Sequence, residues 1–250
     1  MNSIHIGTMG WSYNFWVGNF YPEGTKPNDY LTEYSRRFDT VEIDNTFYRI
    51  PNETSLAKWN TQTPPNFLFS AKFPQIVTHK KMLQNCENEG QFFLERISKL
   101  QSKLGPILLQ FPPTFGPEKL TRLTDFLSTL PKSHMYAVEV RNKNLLNEKL
   151  YSVLRDNNIA LTISTNPSLP QTEQVTSNFA YIRWEGDRKK VNGLLGKVEV
   201  NKTSNIEAWV ENLKQFAVSE TAVYGYFSKY YSGLPTADAQ QFLKFAEDQS

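Results

Sequence analysis

Cysteine is almost missing from this chain. Cys86 stands alone, so no intrachain disulfide can form and no cysteine-rich metal centre can be built. No stretch approaches the ~18 consecutive apolar residues that mark a membrane-spanning helix. The N-terminus lacks the basic region followed by an apolar one that reads as a secretion signal, so the expected location is the cytoplasm. Neither sign of charge dominates: 27 basic residues face 25 acidic ones, for a net charge of +2. That balance gives no strong push towards nucleic acid or a membrane surface. There is no glycine-rich dinucleotide fingerprint, no P-loop and no Gly-x-Ser-x-Gly elbow. Internal repeats, low-complexity tracts and linkers are absent as well, and residues 1–250 read as one domain.

What is present is an alternation. The chain has 250 residues, 39% of them hydrophobic, with a mean hydropathy of −0.50, enough for a sizeable core. Eight β-rich runs are predicted as strands: 4–10, 39–45, 67–73, 106–111, 136–141, 159–165, 179–185 and 221–227. Helical patterns fall at 30–38, 55–62, 90–104, 119–130, 145–157, 205–217 and 238–248. In 119–130, for example, Leu120, Leu123, Phe126, Leu127 and Leu130 form one stripe, as a helix packing on a sheet requires. Eight strands alternating with helices predict parallel pairing, and the (β/α)8 TIM barrel is the simplest closure, an open doubly wound sheet being the alternative. The segment 166–178 carries Pro167 and Pro170 and is too short and broken for a full helix. The helix between strands 6 and 7 is therefore expected to be reduced or missing.

Parallel strands covered on both faces usually read as continuous apolar runs. Here several alternate. Val41 and Ile43 oppose Glu42 and Asp44; Phe69 and Ala71 oppose Ser70 and Lys72. Leu109 and Phe111 oppose Gln110; Val138 and Val140 oppose Glu139 and Arg141; Ile182 and Trp184 oppose Tyr181, Arg183 and Glu185. The apolar set must meet the helices, so the polar set must line the barrel. Most of it falls towards the strands' C-terminal ends, where barrels of this kind bind their ligands. Such charges must form a network, hold a ligand or meet water.

This parity makes Glu42 and Glu139 candidates for an acid/base or nucleophile pair. Lys72, Arg141 and Arg183 would orient or neutralise a ligand, Gln110 would hydrogen-bond it, and Asp44 and Glu185 would join them. Trp11 and Tyr13, from an aromatic loop at 10–24, would form a wall, although packing as a cap on the barrel accounts for at least half of that loop's rings. His79 is a further acid/base candidate, whereas His5 and His134 fall at the opposite strand ends. Thr236 would cap the last helix and, with Lys229 and Arg188–Lys190, favour an anion there. Glu42, Asp44, His79 and Glu139 offer metal donors without tight ligand spacing; no metal is assigned and the cofactor is left open. The expected partner is a small polar, anionic or sugar-like molecule, with hydrolysis or isomerisation as the reaction classes. The alternatives are a non-catalytic binding or adaptor protein whose charges pair only with each other, and nucleic-acid binding through His79–Lys81 and Arg188–Lys190. The near-neutral net charge disfavours the last.

The segments GTMGWSY (7–13), FYP (20–22), TVEIDNTFYRIP (40–51), AKFPQIVTHKKML (71–83), LGPILLQFPPTF (104–115) and AVEVRN (137–142) resemble the YecE-like family, known as domain of unknown function 72. The resemblance runs over nearly the whole chain. It implies a TIM barrel and supplies no reaction. Arg141–Asn142, Thr165–Asn166, Glu185–Gly186 and Ser228–Lys229 depart from the family's pattern after strands 5, 6, 7 and 8.

Overall fold

The computed structural model describes residues 4–172, 174–218 and 221–248. Eight strands appear: β1 (Ile4–Thr8), β2 (Thr40–Ile43), β3 (Leu68–Lys72), β4 (Leu104–Phe111), β5 (Tyr136–Val140), β6 (Ala160–Ser164), β7 (Phe179–Trp184) and β8 (Ala222–Phe227). Each pairs in parallel with the next from β2 to β8, and β8 pairs with β1. Between β1 and β2 the ladder shrinks to a bridge at Met9 and Glu42, where the Gly10 N–H donates to the Glu42 carbonyl at 2.8 Å. The ring is thus nearly closed, as a TIM-like α/β barrel.

The helices are α1 (Tyr30–Ser35), α2 (Glu53–Gln62), α3 (Glu87–Ile97), α4 (Leu120–Thr129), α5 (Glu148–Asp156), α6 (Thr203–Val218), α7 (Lys229–Ser232) and α8 (Pro235–Asp248). Among the described residues no helix lies between β6 and β7, as the two prolines predict. The predicted helix over 90–104 ends earlier, at Ile97, because a 3-10 stretch follows and Gln101 takes φ 54°. Side-chain caps open α2, α5 and α7, the last through the Ser228 hydroxyl, which accepts from the Tyr230 N–H at 3.3 Å. The Asn52 Oδ1 accepts from the Ser55 N–H at 2.8 Å to open α2, and the Asn147 Oδ1 accepts from the Lys149 N–H at 3.1 Å to open α5; such caps satisfy amides the helix leaves unpaired. The last helix begins three residues before the predicted 238. Thr236 therefore lies buried inside its first turn, not at its cap.

The core has two compartments. Outside the barrel, alternate strand residues such as Val41, Phe69, Leu109, Val138 and Ile182 pack under the helices. Inside, Leu108, Ala137, Ala160, Phe179, Tyr181, Tyr224 and Tyr226 fill the lower part, and Met9 joins them from the cleft side, against Arg183. Two of the tyrosine hydroxyls are satisfied across the barrel: Tyr226 meets the Thr40 Oγ at 2.9 Å and Tyr181 meets the Ser70 Oγ at 2.6 Å. His5 stacks on Tyr224 and bonds Asp39 at 2.6 Å, and His134 bonds Ser98 at 3.0 Å, both remote from the C-terminal mouth.

Candidate functional site

Above the tyrosine layer the barrel interior turns ionic. Arg183, near the end of β7, is 3% exposed and lies at the centre. Its Nε and Nη2 donate to the two Glu42 oxygens at 3.0 and 2.9 Å. Its Nη1 donates to Glu139 at 2.6 Å and to Glu185 at 2.7 Å. Arg141 bridges the same two acids, through Nε to Glu139 at 3.0 Å and Nη2 to Glu185 at 2.8 Å. The Gln110 amide donates to Glu139 at 2.7 Å, and the Tyr181 hydroxyl donates to Glu42 at 2.7 Å. The outward neighbour of Arg183 fixes its strand: Trp184 stacks on Phe227 at 4.2 Å and packs against Trp209 and Phe242.

The two buried glutamates are pushed apart. Burial raises Glu42, and Arg183 opposes this only in part. Burial acts on Glu139 in the same sense, but Arg183, Arg141 and Lys72 outweigh it and hold that carboxyl well below the usual range. Buried carboxyls respond to desolvation and neighbouring charge in this way.

A cleft of about 340 Å³ opens over this network. Its lining includes Tyr13, Asp44, Phe47, Lys72, Gln110 and Arg141, and on the far side Arg183, Glu185, Arg188, Lys229 and Tyr230. Glu42 and Glu139 do not line it; they lie beneath, covered by Arg183. Asp44 lines the cleft from just beyond β2, which is shorter than the predicted strand over 39–45. The strand ends at Ile43, and Asp44 begins a 3-10 turn that leaves its carboxylate 3.9 Å from Arg183. An adjoining lobe of about 410 Å³ is lined by Trp11, Tyr13, Asn45, Tyr48 and Tyr230, among others. Trp11 faces this lobe and the core at once, packed edge-on against Trp59 and Phe69. Most rings of its loop are structural: Trp16, Phe20 and Tyr21 are buried, with Tyr21 stacked on Tyr30 at 4.6 Å.

His79 reaches the cleft from a π-type turn at Ile76–Lys80. Its ring meets Phe47 at 4.8 Å and its Nδ1 bonds the Thr78 hydroxyl at 2.9 Å. Burial, with Lys72 and Arg141 nearby, lowers it to about 4, so it is neutral at pH 7. The adjacent Lys81 is tied to Glu89 at 2.6 Å. Sequence reasoning missed Phe47, Tyr48 and Tyr230. The available signal was their position, aromatics placed just beyond the ends of β2 and β8. Among the described residues, no group of three or more His, Cys, Asp or Glu is arranged to hold a metal ion. Nor is any described helix long and apolar enough to cross a membrane.

The family model described as "Protein of unknown function DUF72" matches residues 5–250. The chain belongs to this family. The motif resemblance is thereby borne out. The UPF0759 protein YecE of Escherichia coli is 37% identical over 139 residues, 56% of this chain and 48% of that protein. YunF of Bacillus subtilis is 33% identical over 122 residues, 46% of this chain and 42% of that protein. These alignments span about half the length of the curated relatives. Among solved structures, a DUF72 family protein of Thermotoga maritima superposes with a TM-score of 0.79 at 26% identity, covering 98% of this chain and 99% of its own. One from Enterococcus faecalis gives 0.77 at 23% identity, covering 98% and 95%.

Proposed function

We propose that this DUF72 protein binds a small anionic molecule in the C-terminal cleft, with the anionic group held by Arg188 and Lys229. The observation that carries the reading is the uneven pairing of the cleft's cations. Five cations line the cleft, Lys72, Arg141, Arg183, Arg188 and Lys229, against the carboxylates of Asp44 and Glu185. Arg183 and Arg141 are saturated by Glu42, Glu139 and Glu185. Arg188 and Lys229 have no ion pair among the described residues. Arg188 lies 4.6 Å from the Tyr230 ring centroid, and Lys229 lies 5.3 Å from those of Tyr13 and Tyr230. Aromatic faces hold a cation in place without neutralising it. A fully closed ion-pair network would favour an adaptor with no ligand; unneutralised cations over an open cleft, Arg188 and Lys229 at its rim and Lys72 deeper in, favour a ligand.

The network beneath serves as a rigid floor. Two arginines fixed by three carboxylates leave Gln110 and the rim cations to meet the guest, and such preorganisation lowers the cost of binding. Calorimetric titration with inorganic phosphate at low salt tests this. Saturable binding is expected, weakened at least about tenfold (about 1.4 kcal/mol) in the Arg188→Ala/Lys229→Ala double variant. Equal affinity in the double variant overturns the reading, as does the absence of saturable binding by phosphate, pyrophosphate and citrate alike.

A further inference from the structure

Among the described residues two lysines are almost fully buried, and they differ in their partners. Lys103, 9% exposed, gives its ammonium three oxygen acceptors: the Asn60 carbonyl at 2.7 Å, the Thr63 carbonyl at 2.8 Å and the Thr63 hydroxyl at 3.0 Å. Those contacts are what a buried cation needs. Lys72, at the end of β3, is 8% exposed and has none of them. Among the described residues its Nζ makes no ion pair and no hydrogen bond; it lies over the Phe47 ring, 4.4 Å from the centroid. That face holds a cation weakly and supplies neither the counter-charge nor the hydrogen bonds that offset withdrawing an ion from water. Arg183 adds a like charge nearby, which with burial outweighs Asp44, Glu42 and Glu139 and lowers the amine's proton affinity. Yet Lys72 is not sealed in: it lines the 340 Å³ cleft. An amine that is desolvated, set beside a guanidinium and open to a cleft is in the state that makes lysine a nucleophile.

We propose that Lys72 is a catalytic residue that forms an imine with a carbonyl compound, the carbonyl lying deep in the cleft and the compound's anionic group lying at the rim. This rests on the anion reading above for the substrate's orientation, not for the chemistry at Lys72. The neutral Nζ lone pair attacks the carbonyl carbon, and the C=O π pair moves to oxygen, which takes up a proton. The attacking nitrogen gives up one proton to leave a carbinolamine; its oxygen gains a second proton and departs as water with the C–O bonding pair, the nitrogen lone pair closes the C=N bond, and loss of the second nitrogen proton gives the neutral imine. Amine and carbonyl thus become imine and water, with no change of oxidation state. Protonated, the imine draws electrons from the neighbouring carbon, easing loss of a proton there, the step an isomerase needs. His79 is placed to relay protons, because its ring and the Lys72 Nζ pack on the same Phe47 side chain. The neutral imidazole accepts and donates without adding charge.

Reductive trapping tests the proposal. The intact protein is incubated with sodium cyanoborohydride and pyruvate, glyoxylate or dihydroxyacetone phosphate in turn, and adducts are located by peptide mass mapping. At least one probe is expected to modify Lys72 at concentrations that leave the exposed Lys189 and Lys190 largely unmodified. Excess inorganic phosphate should suppress that adduct several-fold. Lys72→Arg should abolish it. Mapping in the parent protein decides the question even if that variant folds poorly. No adduct at Lys72 with any of the three probes, or labelling spread evenly over the surface lysines, overturns the proposal. Trapping at Lys72 that phosphate does not suppress would retain the imine and refute the anion site.

Discussion

Arg183 uses its guanidinium fully: two donors on Glu42, one shared between Glu139 and Glu185, and a contact from Nη2 to the Met9 sulfur at 3.3 Å. A planar fork matches paired carboxylates in a way that an ammonium cannot. Its removal would leave two carboxyls, Glu42 and Glu139, buried without their main counter-charge. Truncating one partner of such a cluster costs about 3–5 kcal/mol. Arg183→Met should therefore lose stability of that order at pH 8 in urea denaturation. The loss should shrink at pH 5, because burial already raises Glu42 and the orphaned acid can take up a proton. A penalty that is the same at both pH values would mean that Arg183 does not hold ionised acids in place.

At the scale of elements, the mouth depends on how closely the end of β7 approaches α7. Gly186 follows β7, and a Cβ there would sit 1.7 Å from the Tyr230 carbonyl oxygen. That contact is with backbone, so it cannot be relieved by a rotamer. Gly186→Ala should cost about 1–3 kcal/mol through overpacking and weaken phosphate binding, since Arg188 and Tyr230 would be forced apart. Gly90, buried in α3, is the contrast: its nearest neighbour would be a Phe126 ring carbon at 3.7 Å. Gly90→Ala should be neutral or stabilise by up to about 1 kcal/mol through helix propensity. Chemical denaturation of both variants checks the pair, and equal effects would refute the steric account. The same elements separate what the sequence could reveal from what it could not. Strand parity has a period of two and each strand carries its own record, so Glu42, Lys72, Gln110, Glu139 and Arg183 could be placed inside the barrel from single strands. Which acid meets which base depends on how strands far apart in the chain face each other across the barrel, such as Glu42 of β2 with Arg183 of β7. No local pattern encodes it. Asp44 lines the cleft, but from a turn, because β2 ends one residue before it, and Phe47 and Tyr230 sit in short segments with no periodicity to read.

Across the whole molecule, stability depends on pH through buried groups that lie at different places and act with opposite signs. His79 is depressed to about 4, so its contribution is present above the unfolded value of 6.5 and is lost as pH falls through 4. Asp238 acts the other way. It is 3% exposed, its Oδ2 accepts from the Ser232 hydroxyl at 2.6 Å, and burial raises it from 3.8 to about 7. Folding then favours the protonated acid, so its contribution is complete below 3.8 and disappears as pH rises through 7. The residue lies where α7, α8 and the segment after β7 meet, since the Glu199 and Val200 N–H groups both donate to the Ser232 carbonyl. Asn at this position is neutral at every pH and keeps an oxygen for Ser232. Asp238→Asn should therefore match the parent near pH 4 and exceed it increasingly up to about pH 8, where the gain should level off. A one-unit shift corresponds to about 1.4 kcal/mol, and relaxation around a buried acid reduces the full value, so a gain of about 1–2 kcal/mol is expected, or about 2–8 °C in Tm. Thermal melts at pH 4, 6 and 8 check this, and a difference independent of pH, or one that grows towards acid, would show that Asp238 is ionised in the folded chain.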